Sequence, residues 1–252
     1  IKPYLSSMTR HELLIIMTVG MSTIAGSVMV VYTTMLFPIY GAGLIGHFLS
    51  ASLISVPAAI MYSNIMLPSD VKTDFPDKSS NELYVSVMDA ITQGTKNGLD
   101  IFLNVIAMLI VVMALVFLVN SILSLFPPLF GDPITLELLL GYLFAPLAWF
   151  MGISWEESII AGQLLGVKTA LNEFVAYLYL ADTETYHLSD KSRLIMLYAL
   201  CGFANFSSVG ILLSGLSAMI PERRMDLISV SGKALWGALL ASCLTGFMIG
   251  IL

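Results

Sequence analysis

Apolar runs long enough to cross a bilayer recur along this chain, and lipid leaves such a chain few ways to fold. Backbone N–H and C=O groups in hydrocarbon must be paired within the protein, so spanning segments are helices or closed barrels. Runs of roughly 20 apolar residues belong to helices. Hydrophobic residues fill 58% of the 252 positions and charged residues 11%, against about 25% charged in an average soluble domain. The composition predicts an all-α polytopic membrane protein.

The first span covers Leu13 to Phe37, with a polar centre at Ser22, Thr23, Ala25, Gly26 and Ser27; the second covers 41–67 and is rich in Gly, Ala and Ser, which allows close helix approach in lipid. A hydrophilic loop follows at 68–98, its second half carrying Leu83, Val87, Ala90 and Ile91 at the spacing of an interfacial helix. A third span, 99–126, stops at Pro127-Pro128, where missing N–H groups and a fixed φ end a helix. Two shorter segments, 134–153 and 159–180, are separated by the helix-start signature Ser154-Trp155-Glu156-Glu157. The first is expected to be interrupted at Gly141 and Pro146, the second at Gly162, Gly166, Lys168, Asn172 and Glu173. Short broken segments in sequence are expected for a re-entrant hairpin, here assigned to 134–180. Another broken span runs over 194–220, and a last one over 225–252.

Lys and Arg set the orientation. Lys2, Arg10, Lys72, Lys78, Lys96, Arg223, Arg224 and Lys233 share one face, while Lys191 and Arg193 lie on the other and Lys168 is inside the apolar zone. This places the first face in the cytoplasm and the C-terminus outside.

Glu173 is the informative charge. An ionisable group at bilayer depth costs roughly 2.5–3.5 kcal/mol on insertion scales, so it is kept by a partner, a cavity or a transported solute. A structural pair with Lys168 is the bland alternative, but five residues amount to roughly 140° around a helix, which aims such a pair poorly. An internal repeat supplies companions. Gly20 to Val28 resembles Gly202 to Gly210 at an offset of 182 residues, and each copy follows a basic N-terminus, Thr9-Arg10 or Ser192-Arg193. The charge count makes one copy enter from each face, so the repeat is inverted. Inverted repeats with discontinuous helices place substrate and coupling ion at the midplane. Asn205 and Ser208, three apart on one helix face, join Asn172 and Glu173 as a directional set of donors and acceptors suited to a polyhydroxylated solute. Small polar residues such as Ser22, Ser27, Ser207 and Ser214 also serve as packing contacts in membrane helices.

Other classes find little support. With a formal charge of −6 and no basic cluster, nucleic acid is not an expected partner. Cys201 and Cys243 lie in apolar runs without metal-ligand spacing and imply no disulfide. His11, His47 and His187 accompany no nucleophile or metal cluster, so no enzyme is expected. A channel or a non-transporting membrane receptor is the alternative reading, with Glu173 as a gate or structural partner. The opening Ile1-Lys2-Pro3-Tyr4-Leu5 has no signal-peptide character and reads as part of something longer.

The stretches Gly166-Val167-Lys168-Thr169-Ala170-Leu171-Asn172-Glu173-Phe174-Val175-Ala176-Tyr177 and Cys201-Gly202-Phe203-Ala204-Asn205-Phe206-Ser207-Ser208-Val209-Gly210-Ile211 resemble the two signature stretches of the concentrative nucleoside transporters. Met21 to Val28, Ser55-Val56-Pro57-Ala58-Ala59 and Pro221-Glu222-Arg223-Arg224 match further motifs, so the resemblance covers the chain. It implies an inverted-repeat transporter with a re-entrant helical hairpin and discontinuous transmembrane helices: a homotrimeric symporter of the bacterial inner membrane, moving its transport domain, elevator fashion, against a scaffold that includes 99–126. It also implies a nucleoside substrate whose ribose hydroxyls meet Glu173, Asn205 and Ser208, with Asn172 and Phe203 in the same pocket. Val28 belongs to the nucleobase wall, and Thr23, Ile24 and Ser27 to the element that supplies sodium ligands. Sodium or a proton is the coupling ion, and no organic cofactor is implied. Residues 1–37 would then comprise the end of a first hairpin plus the first broken helix. The family's N-terminal scaffold and the base-reading tip of that hairpin would precede Ile1, and this piece alone is not expected to transport.

Overall fold

A computed structural model describes residues 2–71, 85–128 and 133–252. Among these the regular elements are helices: α1 (Lys2–Leu5), α2 (Arg10–Ser22), α3 (Gly26–Tyr40), α4 (Leu44–Met66), α5 (Val87–Leu123), α6 (Leu136–Phe150), α7 (Trp155–Ala170), α8 (Glu173–Ala181), α9 (Asp190–Leu200), α10 (Phe206–Met219) and α11 (Arg224–Ile251). The chain is an all-α polytopic membrane protein. α4 and α11, of 23 and 28 residues, are long enough to span alone, which takes about 20. α2 and α3 are 13 and 15 residues, α9 and α10 11 and 14, so each pair makes one span in two pieces.

The two broken spans start and restart alike. Thr9 caps α2 in a capping box with Glu12, and Ser189 caps α9; Ala25 and Asn205 are the N-cap residues of α3 and α10. By these caps the repeat offset is 180 (189 − 9 and 205 − 25), two fewer than the residue pattern suggests. α9 is two residues shorter than α2, while its break, 201–205, is two residues longer than 23–25, so both caps keep the one offset. The breaks touch. Gly202 has φ +103, a left-handed conformation that only glycine adopts cheaply, and a Cβ there would lie 2.5 Å from the Ser22 carbonyl oxygen at the end of α2.

The 134–180 stretch contains three helices, because the second segment is interrupted at Leu171-Asn172, ahead of Glu173. α6 runs unbroken through Gly141 and Pro146, and α7 through Gly162, Gly166 and Lys168. The glycines serve packing rather than interruption: a Cβ on Gly162 would sit 2.3 Å from the Gly141 carbonyl oxygen, so α6 and α7 meet backbone to backbone. Their axes differ by 119° across the turn at 151–154. That turn packs on the last turn of α11, where a Cβ on Gly250 would meet the Met151 carbonyl. Beside it the Glu157 carboxylate accepts from the Ser189 N–H and from the Ser189 and Ser192 hydroxyls at the start of α9. The second turn, Leu171-Asn172, opens α8 through the Asn172 side chain, which accepts from the Val175 N–H.

α11 is the hub, packed against α2, α4 and α9. At its start Arg223 Nε donates to Asp226 at 2.6 Å, and Arg223 Nη1 donates to the Ser6 and Met8 carbonyls, while Arg10 also pairs with Asp226. α5 is one helix of 37 residues, so 87–98 is continuous with the span after it and is not a separate interfacial helix. Lys72, Lys78 and the acidic part of the expected loop, 72–84, lie outside the described residues.

Candidate functional site

The starts of α8 and α10 and the middle of α3 converge beside the touching breaks. The N-terminus of α8 brings Glu173 as its first residue, where a carboxylate gains from the free N–H groups and dipole of the helix. The N-cap of α10 brings Asn205. Its Oδ1 accepts from the Ser208 N–H and the Ser207 hydroxyl, at 2.8 and 2.7 Å. That fixes the amide orientation, and Nδ2 donates to Glu173 Oε2 at 3.2 Å. α3 brings Tyr32, whose hydroxyl donates to Glu173 Oε1 at 2.9 Å. Tyr32 is held in turn by the rings of Tyr177 and Phe48, at centroid distances of 4.7 and 6.2 Å.

These groups line one side of a cavity of about 440 Å³, within the size range of small-molecule sites. Glu173, Asn205, Ser208, Phe203, Asn172, Val28 and Ile24 all line it, so seven of the nine residues singled out from sequence are brought together. Thr23 and Ser27 are outside the lining: the Thr23 hydroxyl donates back to the Val19 carbonyl, and Ser27 is exposed in the first turn of α3. The Asn172 oxygen is committed to the α8 cap. Apolar walls come from Val31, Phe174 and Ile211. Charged and amide groups on one wall and apolar surface on the others suit a ligand with a polar, hydroxylated part and a flat or apolar part.

Lys168 does not pair with Glu173. It is fully buried and donates to the Ala199 carbonyl and the Ser242 hydroxyl, and among the described residues the ion pairs within 4 Å are those of Arg10 and Arg223 with Asp226.

Residues 47–250 match the profile of the family described as Na+ dependent nucleoside transporter C-terminus. The chain belongs to this family. Among similar proteins, the uncharacterized transporter YutK of Bacillus subtilis (strain 168) is 39% identical over all of this chain and 62% of its own length. The nucleoside permease NupC of Helicobacter pylori is 35% identical over all of this chain and 60% of its own length. The structure of CNTnw in an inward-facing substrate-bound state superposes with a TM-score of 0.82 at 34% identity, covering 99% of this chain and 59% of that one. The chain thus spans about three-fifths of the length of these relatives. As in the solved members of this transporter family, its fold is an inverted repeat of discontinuous helices.

One member of the constellation escapes the sequence reading. Tyr32 lies four residues beyond Val28 in the same helix, so that spacing is the signal that would have found it.

Proposed function

We propose that this chain is the larger part of a secondary active transporter that takes up nucleosides by symport with sodium or protons. The observation that carries the reading is the Tyr32–Glu173–Asn205 set, lining one cavity where a helix start meets two touching helix breaks. A carboxylate with both oxygens already engaged keeps further lone pairs for a vicinal diol, so Glu173, Asn205 and Ser208 hold the ribose hydroxyls. Phe203 and Val28 flank the base, and Asn172 positions Glu173 by capping its helix. The coupling cation sits at the break between α2 and α3, at Thr23, Ile24 and Ser27; the Na+ dependence named in the family description supports sodium. The re-entrant hairpin is α7 with α8, its apex at Leu171-Asn172. The whole protein works as a homotrimer in the bacterial inner membrane, C-terminus outside, and moves its substrate site elevator fashion.

The test is uptake of labelled uridine and adenosine by the full-length protein in liposomes, with sodium and proton gradients imposed separately. One gradient is expected to drive saturable uptake, and Glu173→Gln or Asn205→Ala to abolish it at normal expression. Dependence on neither gradient, or wild-type uptake by both variants, overturns the reading.

A further inference from the structure

Two helix ends meet at one side chain. A helix end leaves its last carbonyls without partners and carries partial negative charge, so the ends of α7 and α9 repel one another where they come within a lysine's reach. Lys168 lies in the last turn of α7. Its Nζ donates at 2.8 Å to the carbonyl of Ala199, in the last turn of α9, and at 2.7 Å to Ser242 Oγ on α11. The Ser242 hydroxyl turns its proton back on the Ala238 and Leu239 carbonyls of its own helix, which leaves lone pairs for the ammonium. The Lys168 side chain is 0% exposed, and a buried charge is a costly tie where a neutral donor serves. The two preceding carbonyls of α9 are served by neutral donors: Leu197 O accepts from the Tyr177 hydroxyl at 2.9 Å and Tyr198 O from the Thr245 hydroxyl at 3.3 Å.

A buried ammonium in an intramembrane position calls for a role and a named partner, and the proposed transport cycle gives Lys168 none. The two ends that it ties are those from which the site is built. Past the end of α7 come the apex Leu171-Asn172 and Glu173; past the end of α9 come the break and Asn205. Asn205 Nδ2 donates to Glu173 Oε2 at 3.2 Å. The chain from Lys168 to Glu173, that bond, and the chain from Asn205 back to Ala199 therefore form a ring, and Lys168 closes it. We propose that Lys168 is a positioning residue for the ribose site: by joining the ends of α7 and α9 and anchoring both on α11, it fixes Glu173 against Asn205. This rests on the nucleoside reading above. Lys168 does not line the cavity and acts through those two residues.

The experiment uses the full-length protein in detergent and in liposomes. Lys168→Met keeps much of the side-chain volume without charge or donors, and the shorter, uncharged Lys168→Gln is measured beside it with the same expectation. Thr245→Val removes the tie at the neighbouring Tyr198 carbonyl without touching the hairpin, and serves as the structural control. Hydrogen exchange without nucleoside reads position. The Val175 N–H, held by Asn172 Oδ1, and the Ser208 N–H, held by Asn205 Oδ1, are expected to exchange roughly tenfold faster in the Lys168 variants and at wild-type rates in Thr245→Val. Uptake reads function. The Lys168 variants are expected to raise the KM for uridine roughly tenfold, the scale of one weakened hydrogen bond to a charged group, and that for 3′-deoxyuridine much less, so discrimination between the two falls. Thr245→Val is expected to keep that discrimination. A lower maximal rate with wild-type discrimination in the Lys168 variants is what a merely structural role gives, and it overturns the proposal. So do wild-type exchange at Val175 and Ser208, equal acceleration in Thr245→Val, or failure of both Lys168 variants to fold. Absence of uptake by the wild type under every gradient would sink the transport reading, while the exchange arm, which involves no nucleoside, still decides whether Lys168 holds the two breaks in place.

Discussion

Tyr32 and Asn205 each hold a different oxygen of Glu173, so the carboxylate has one fixed orientation before any ligand arrives. Preorganised acceptors lower the ordering cost of binding. Replacing the tyrosine hydroxyl by hydrogen keeps the ring contacts with Tyr177 and Phe48 but removes a hydrogen bond to a charged group, worth roughly 1.5–3 kcal/mol. Tyr32→Phe is therefore expected to lower the melting temperature by several degrees and to raise the KM for nucleoside uptake; an unchanged KM would show that the hydroxyl does not organise the site. Glu173 was legible in the sequence because a carboxylate inside an apolar run has no cheap explanation. Tyr32 was not, because a tyrosine in an apolar helix reads as a core or interface aromatic, and its partner is 141 positions away.

Helix starts were more legible than helix breaks. Ser154, with Glu157 three residues on, announces α7, and Ser154 does cap it. The turn at Leu171-Asn172 has no Gly or Pro to mark it, and its signal is the capping asparagine alone. Gly141 and Pro146 carry the opposite lesson, since both sit inside the continuous helix α6: residues that punctuate helices in water are tolerated in membrane helices where close packing needs them. The turn before the hairpin is stapled by Glu157 to the start of α9. Burial alone would push the Glu157 carboxyl up, but hydrogen bonds from the Ser192 hydroxyl and from the N–H and hydroxyl of Ser189 hold it below the ordinary carboxylate range. A group lowered in the folded state contributes stability above its unfolded pKa and loses it as pH falls through the folded value. The staple lies on the face assigned to the exterior, before the first apolar residue of the hairpin run, Ile159. Acidifying the full-length protein below the usual carboxylate range is expected to speed hydrogen exchange at the start of α9, and Glu157→Gln to show the faster rate already at neutral pH. Equal protection of both proteins across the range would remove the staple from the account.

At the scale of the whole molecule the packing is uneven. α11 binds α2, α4 and α9 into one body, closed at the face assigned to the cytoplasm by Asp226 between Arg10 and Arg223, and the two touching breaks tie α2 to the second repeat. α5 meets this body mainly through α10 and α6, and most of its described large apolar side chains are exposed. A helix so loosely joined to the hub needs other surface against which to bury its apolar face. Elevator motion requires such a division, with a rigid body carrying the site past elements that stay with the scaffold. Spin labels separate the two parts. Cys201 and Cys243 are both buried, so labels can be directed to introduced cysteines at exposed positions. The distance between Asn64→Cys on α4 and Ser229→Cys on α11 is expected to stay constant when sodium and nucleoside are added to the full-length protein. The distance between Thr95→Cys on α5 and Ser229→Cys is expected to change by several ångströms or to broaden into two populations. Movement within the first pair, or none in the second under any ligand condition, would mean that α5 travels with the hub and that the site opens by local rearrangement instead.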